Sequence, residues 1–188
     1  MRKLANITCA VVMSLPLTLP TNGSFAQQSL KDRIVGTWKL ISWESVRPNG
    51  QVVNWMGPHP TGVIMYQPNG YMAVQIMADP RPTFAQNPAL SPPPYDEFRT
   101  AFFDYYAYWG TYTINDAGNG VVHNVVASER AGEVGVNYQR SVSIEGTKLL
   151  ITTPSYKAGV FVPHDRLERM QIPAEEELVN RLTFVRLQ

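Results

Sequence analysis

The sequence predicts an all-β protein: a closed antiparallel β-barrel with one inserted α-helix. Three observations carry that prediction. About nine short strand-like runs follow one another closely, with turn signals between them. Strands and helices do not alternate, so no parallel sheet is indicated, and no repeat period indicates a solenoid. A meandering antiparallel sheet of this many strands has two exposed edges unless it closes on itself, and closure removes both.

The leading segment reads as a signal peptide over residues 1–26, followed by a single domain over 27–188. Arg2 and Lys3 form a short basic start, Leu4 to Leu19 is largely apolar, and Ser24-Phe25-Ala26 supplies the small residues of a cleavage site. Pro16 and Pro20 break the apolar run, which argues against a membrane anchor. The expectation is a periplasmic or secreted protein, cleaved near Ala26. Cleavage would remove Cys9, the one cysteine, and with it any disulfide, thiolate metal site or cysteine nucleophile. The 188-residue chain carries 16 Lys and Arg against 15 Asp and Glu, and two of the basic residues lie in the leader. A near-neutral chain with no basic block argues against nucleic-acid or electrostatic membrane partners. No second apolar stretch is long enough to span a bilayer.

Beyond the leader, Ser29 suits the cap of a short helical turn from Leu30 to Val35, which Gly36 ends. Thr37 to Ser45 alternates, with Trp38, Leu40, Ser42 and Glu44 on one face and Lys39, Ile41 and Trp43 on the other. Pro48-Asn49-Gly50 turns the chain into a short strand from Gln51 to Trp55. Gly62 to Tyr66 and Tyr71 to Met77 flank Gln67-Pro68-Asn69-Gly70, a strong hairpin signal. Asp79 to Pro94 is too rich in proline for helix or central strand. Tyr95 to Ala107 reads as the inserted helix, with Asp96 and Glu97 in its first turn and Phe98, Phe102 and Tyr105 or Tyr106 at helical spacing. This loop and helix are a candidate lid over an open barrel mouth, or else a buttress of its wall. Strands follow over Tyr108 to Asn115, Val121 to Glu129, Val136 to Glu145, Lys148 to Pro154 and Leu178 to Leu187, with turns at Gly118-Asn119-Gly120 and Glu145-Gly146. Tyr156 to Glu177 is a second long connection.

Four ordered motifs then carry a family resemblance: Gly36-Thr37-Trp38-Lys39-Leu40-Ile41-Ser42-Trp43-Glu44, Gly57-Pro58-His59-Pro60-Thr61-Gly62, Tyr66-Gln67-Pro68-Asn69-Gly70-Tyr71-Met72 and Tyr108-Trp109-Gly110-Thr111-Tyr112. Together they resemble the bacterial and fungal lipocalin-like domain family, of calycin-like barrel fold. In the calycin pattern the G-x-W tryptophan opens the first strand, and an arginine on the last strand packs across it. The resemblance therefore implies that Trp38 and Arg186 seal one end of the barrel, with Arg181 as the alternative partner. It implies no single reaction.

A barrel of this size holds side chains alone or one small ligand. Candidate inward residues are Ser42, Glu44, Ile64, Val74 and Ile76, with Tyr66, Met72, Tyr108, Trp109, His123 and Tyr138 as candidate ligand contacts; Tyr108 and Trp109 alternate for one place. His123 shares a face with Val121 and Val125, so an inward face would bury a titratable group in a cavity. Glu44, His123, Tyr138 and Arg140 are the candidate acid–base cluster. The reading that follows is a secreted barrel binding a small hydrophobic or aromatic molecule. The alternative is a cofactor-free isomerase, cyclase or lyase using the same cavity. His59, His123 and His164 stand apart without paired spacing, so no metal site is expected, and no phosphate loop, dinucleotide fingerprint or nucleophile elbow calls for a cofactor.

Overall fold

Alternating apolar residues build most of the wall, and each break in the alternation has a local cause. The computed structural model describes residues 29–187 except Pro88, Asp116 and Gly118; the leader segment and the Gly118 position of the expected turn lie outside the described residues. In chain order the elements are α1 (Leu30–Ile34), β1 (Gly36–Val46), β2 (Val52–Val53), β3 (Thr61–Tyr66), β4 (Tyr71–Met77), α2 (Tyr95–Phe103), β5 (Tyr105–Ile114), β6 (Gly120–Ser128), β7 (Asn137–Glu145), β8 (Lys148–Thr152), β9 (Tyr156–Lys157), α3 (Ala158–Phe161), α4 (His164–Met170) and β10 (Glu177–Arg186). A single 3-10 turn, Ala131–Glu133, sits between β6 and β7.

Eight strands pair in the ring β1-β3-β4-β5-β6-β7-β8-β10 and back to β1, all antiparallel, so the expected closed barrel is present. The short β2 and β9 only extend β1 and β10. Where more than one helix was not expected, the chain from Tyr156 onward forms α3 and α4, which correct the single-insert picture.

Two further departures shape the interior. A register shift between Leu40 and Ser42 puts Trp38 and Leu40 inside, and then Trp43 and Ser45. A bulge of this kind inverts the side-chain parity of the strand beyond it. The expected inward face is therefore correct at Trp38 and Leu40 and inverted at Ser42 and Glu44. The inserted helix ends at Phe103, four residues early. Tyr105, Tyr106 and Ala107 instead pair with Met77, Ile76 and Gln75. The run Tyr105 to Ile114 is dense in aromatic and β-branched side chains, and a complete ladder on β4 outweighs a frayed last helical turn.

The end of the barrel next to α1 is sealed. Trp38 is fully buried, and its indole N–H donates to the Ile34 carbonyl at 2.8 Å. The Arg186 guanidinium lies 4.0 Å from the Trp38 ring centre and donates to the carbonyls of Val35, at 2.6 Å, and Arg33. Trp38 and Arg186 are direct partners in the β1–β10 register. Gly36 makes this stack fit. Its φ is +136°, and a Cβ there would sit 2.5 Å from Arg186 Nη1. Gly36→Ala is thus expected to lower stability by about 1–3 kcal/mol, through backbone strain and displacement of Arg186. Urea denaturation reads this, and an unchanged midpoint would show that the stack tolerates a methyl group.

Candidate functional site

Toward the other end the barrel stays hollow. A cavity of about 320 Å³ lies between Trp43 of β1, Ile64 of β3, Val74 and Ile76 of β4 and Leu182 and Phe184 of β10 on its apolar side. Tyr108, His123, Tyr138, Arg140 and Asn180 are among its polar groups.

His123 sits on β6, where Val121, His123 and Val125 all face inward and are buried. Both ring nitrogens are engaged: Nε2 lies 2.8 Å from the Tyr66 hydroxyl, and Nδ1 lies 2.8 Å from the Tyr108 hydroxyl. Burial, reinforced by the positive charge of Arg140, holds the His123 pKa well below its ordinary value, so the ring is neutral at pH 7. A neutral imidazole has one donor and one acceptor nitrogen; one tyrosine therefore donates to the ring and the other accepts from it. Both phenols stay protonated. Burial pushes Tyr66 far up, and it pushes Tyr108 up to about 12 against the opposing pull of Arg140.

A second polar group stands beside the cavity. Glu133, buried at the end of the 3-10 turn, accepts hydrogen bonds from Ser128 at 2.9 Å and from Tyr106 at 3.3 Å. Next to it, Arg130 lies over the Phe161 ring at 4.3 Å, donates to the Phe161 carbonyl at 3.3 Å, and pairs with Glu129 at 3.7 Å. Desolvation raises the Glu129 carboxyl to about 7 despite that pairing. On the far wall, Asn180 Oδ1 accepts from Ser45 at 2.5 Å and from Tyr156 at 2.8 Å.

Of the two roles open to the Pro-rich loop and inserted helix, lid or buttress, the lid is not the one they take. No described residue from Asp79 to Phe103 lines the cavity; α2 lies outside the barrel, where Arg99 pairs with Asp165 of α4 at 3.2 Å. The mouth is covered by Thr153 to Tyr156 and by Val160 and Phe161 of α3. Phe161 packs edge-on to Tyr106 at 5.2 Å and to Tyr156 at 5.8 Å. The loop and α2 buttress; the second connection closes.

Of the residues singled out from sequence, Tyr108, His123, Tyr138 and Arg140 come together on the cavity wall. Tyr66 stands behind His123 as its hydrogen-bond partner. Met72 is buried between Tyr66 and Gly110 in the register and does not reach the cavity. Trp109 points outward and is 47% exposed, because Tyr108 takes the inward parity of β5. Glu44 lies past the β1 bulge, opposite Arg181, away from the cavity, so the four-residue cluster loses its carboxylate. Tyr106, Asn180, Tyr156, Phe161 and Glu133 were not foreseen. For Asn180 a signal existed: Leu178, Asn180, Leu182 and Phe184 alternate along β10, and three of those four are apolar. Among the described residues no group of three His, Cys, Asp or Glu is placed to hold a metal ion.

A closed eight-stranded barrel, sealed by a tryptophan–arginine stack at one end and hollow at the other, defines a calycin-like barrel protein. The chain belongs to the family described as the lipocalin-like domain, whose sequence profile matches residues 35–163. No curated protein matches the sequence. One solved structure, EF1p2_mFAP2b bound to DFHBI, is similar at 14% identity with a TM-score of 0.38, over 83% of this chain and 95% of that one.

Proposed function

We propose that the protein binds a small aromatic or apolar molecule inside the barrel. The observation that carries this reading is the 320 Å³ cavity, mostly apolar in lining and furnished with a buried Tyr66–His123–Tyr108 chain whose groups satisfy one another. Ligand sites fall in the range of about 300–1,000 Å³, so this one suits a molecule of one or two rings. Hydrophobic walls supply the affinity, and the few polar groups set orientation. The acid–base alternative is weakened: Glu44 lies elsewhere, and both His123 nitrogens are taken by tyrosines.

Titration with N-phenyl-1-naphthylamine, an uncharged fluorophore, tests the reading. Saturable enhancement with one site per chain is expected, and its loss in Leu182→Trp, which fills the cavity. No enhancement with the wild-type protein would count against a binding role. Phe161→Ala, which removes the lid ring, is expected to raise the probe's dissociation rate about tenfold with a smaller change in association, because interface changes act mainly on release. Stopped-flow displacement measures both rates.

We also propose that the chain is exported and cleaved near Ala26, on the basic, apolar and small-residue order of its first 26 positions. Intact mass of protein recovered from the periplasm or medium tests this; a mass that retains the leader would refute it.

A further inference from the structure

Among the described residues one cation stands on the cavity wall, and it has no acidic partner. Arg140 lines the cavity, yet no carboxylate oxygen among the described residues lies within 4.0 Å of its guanidinium. Nη1 donates to the carbonyl of the preceding residue, Gln139, at 2.9 Å, and the guanidinium also stands close to the Tyr108 hydroxyl. The guanidinium is held over the Tyr138 ring at 4.5 Å. Of its five N–H donors, most are left free in a fixed plane, the arrangement that receives a carboxylate through two parallel hydrogen bonds.

The position of Arg140 in the wall adds a second argument. β7 pairs with β8 only from Ser141 to Glu145, because the chain leaves β8 after Thr152. Asn137 to Arg140 therefore have β6 on one side and no strand on the other. All four of these residues line the cavity, and so do all four from Thr153 to Pro154, Ser155 and Tyr156. Side chains of a single strand alternate faces. A lining of consecutive residues means that the strand edges themselves form the wall, so the cavity opens through a slot between β7 and the Thr153–Tyr156 segment. Arg140 stands at that slot.

The field inside the cavity agrees. Arg140 lowers the proton affinity of Tyr106, Tyr108, His123 and Tyr138, which line the space, and of Tyr66 behind His123. The opposing Glu133 is tied up by Ser128 and Tyr106 and does not line the cavity. A single cation among the described lining residues, with a buried carboxylate nearby, suits a monoanion better than a dianion such as a phosphate monoester.

We propose that the ligand is a small aromatic or hydrophobic carboxylic acid, with its carboxylate on Arg140 at the slot and its apolar body against Trp43, Ile76, Leu182 and Phe184. This rests on the binding reading above and specifies its ligand. The test compares 2-naphthoate with 2-naphthalenemethanol, which share one ring system, by isothermal titration against the wild type, Arg140→Gln and Arg140→Lys. The wild type is expected to prefer the acid by about tenfold or more, the value of a charge-assisted hydrogen bond. Arg140→Gln is expected to lose that preference while its affinity for the alcohol stays within about twofold, and Arg140→Lys to keep part of it. Equal wild-type affinity for acid and alcohol overturns the acid proposal and leaves the binding reading standing. Binding of neither compound overturns the acid proposal, and the naphthylamine titration then decides the binding reading. The wild-type comparison decides the matter even if Arg140→Gln fails to fold.

Discussion

Trp38→Ala is expected to lower the free energy of unfolding by about 3–5 kcal/mol, the cost of deleting a large buried aromatic side chain. Three interactions go together. The indole N–H no longer satisfies the Ile34 carbonyl, the Arg186 guanidinium loses the ring beneath it, and an empty space opens where β1 meets β10. Domains of this size are stable by only about 5–15 kcal/mol, so the variant would keep little margin. Trp38→Phe restores a ring without the N–H donor and is expected to recover roughly half of the loss. Urea denaturation measures both variants. A loss below about 1 kcal/mol for Trp38→Ala would mean that the sealed end is held by the strand ladder alone.

His123→Phe is expected to cost about 2–4 kcal/mol at pH 7, because it leaves the Tyr66 and Tyr108 hydroxyls buried without their shared partner. The pH profile identifies the cause. In the folded state the His123 pKa is held far below its ordinary value of 6.5, whereas the unfolded chain protonates near that value. Below pH 6.5 the unfolded state therefore binds more protons, and the wild type loses stability as the pH falls, by at most about 1.4 kcal/mol per unit from this group. His123→Phe lacks this loss. The stability gap between the two proteins is expected to narrow from pH 6.5 to pH 5. Glu129 acts in the opposite sense throughout this window: its carboxyl, raised from 4.5 to about 7, takes up its proton more readily in the folded state. It is present in both proteins and cancels in the difference. A gap that stays constant across the window would show that His123 is not buried and neutral.

The barrel was legible because its signals are local. The Pro-Asn-Gly turns, the Gly36-Thr37-Trp38 entry and the Val121, His123, Val125 alternation each depend on neighbours within a few residues, and each lies where its pattern put it. The site was half legible for the same reason. Parity along β6 and β7 brought His123, Tyr138 and Arg140 to one wall. Parity failed at Glu44 because the bulge after Leu40 is set by pairing with β10, far away in sequence. It left Tyr108 and Trp109 undecided because an all-aromatic strand looks apolar on both faces. The covering segment at Tyr156 to Phe161 gave no sign at all. Phe161 is placed by contact with Arg130, Tyr106 and Trp43, and none of these is near it in the chain.

The pairing of β1 with β10 also dictates when the protein can fold. The stitch from Arg186 to Val35 joins positions 151 apart. A chain in synthesis therefore carries an open β1 edge until β10 has been made, and a β8 edge beside it. Contacts of such long range make folding slow, and the waiting edges invite pairing with other chains. A stop codon before Glu177 is therefore expected to yield aggregate rather than a smaller barrel.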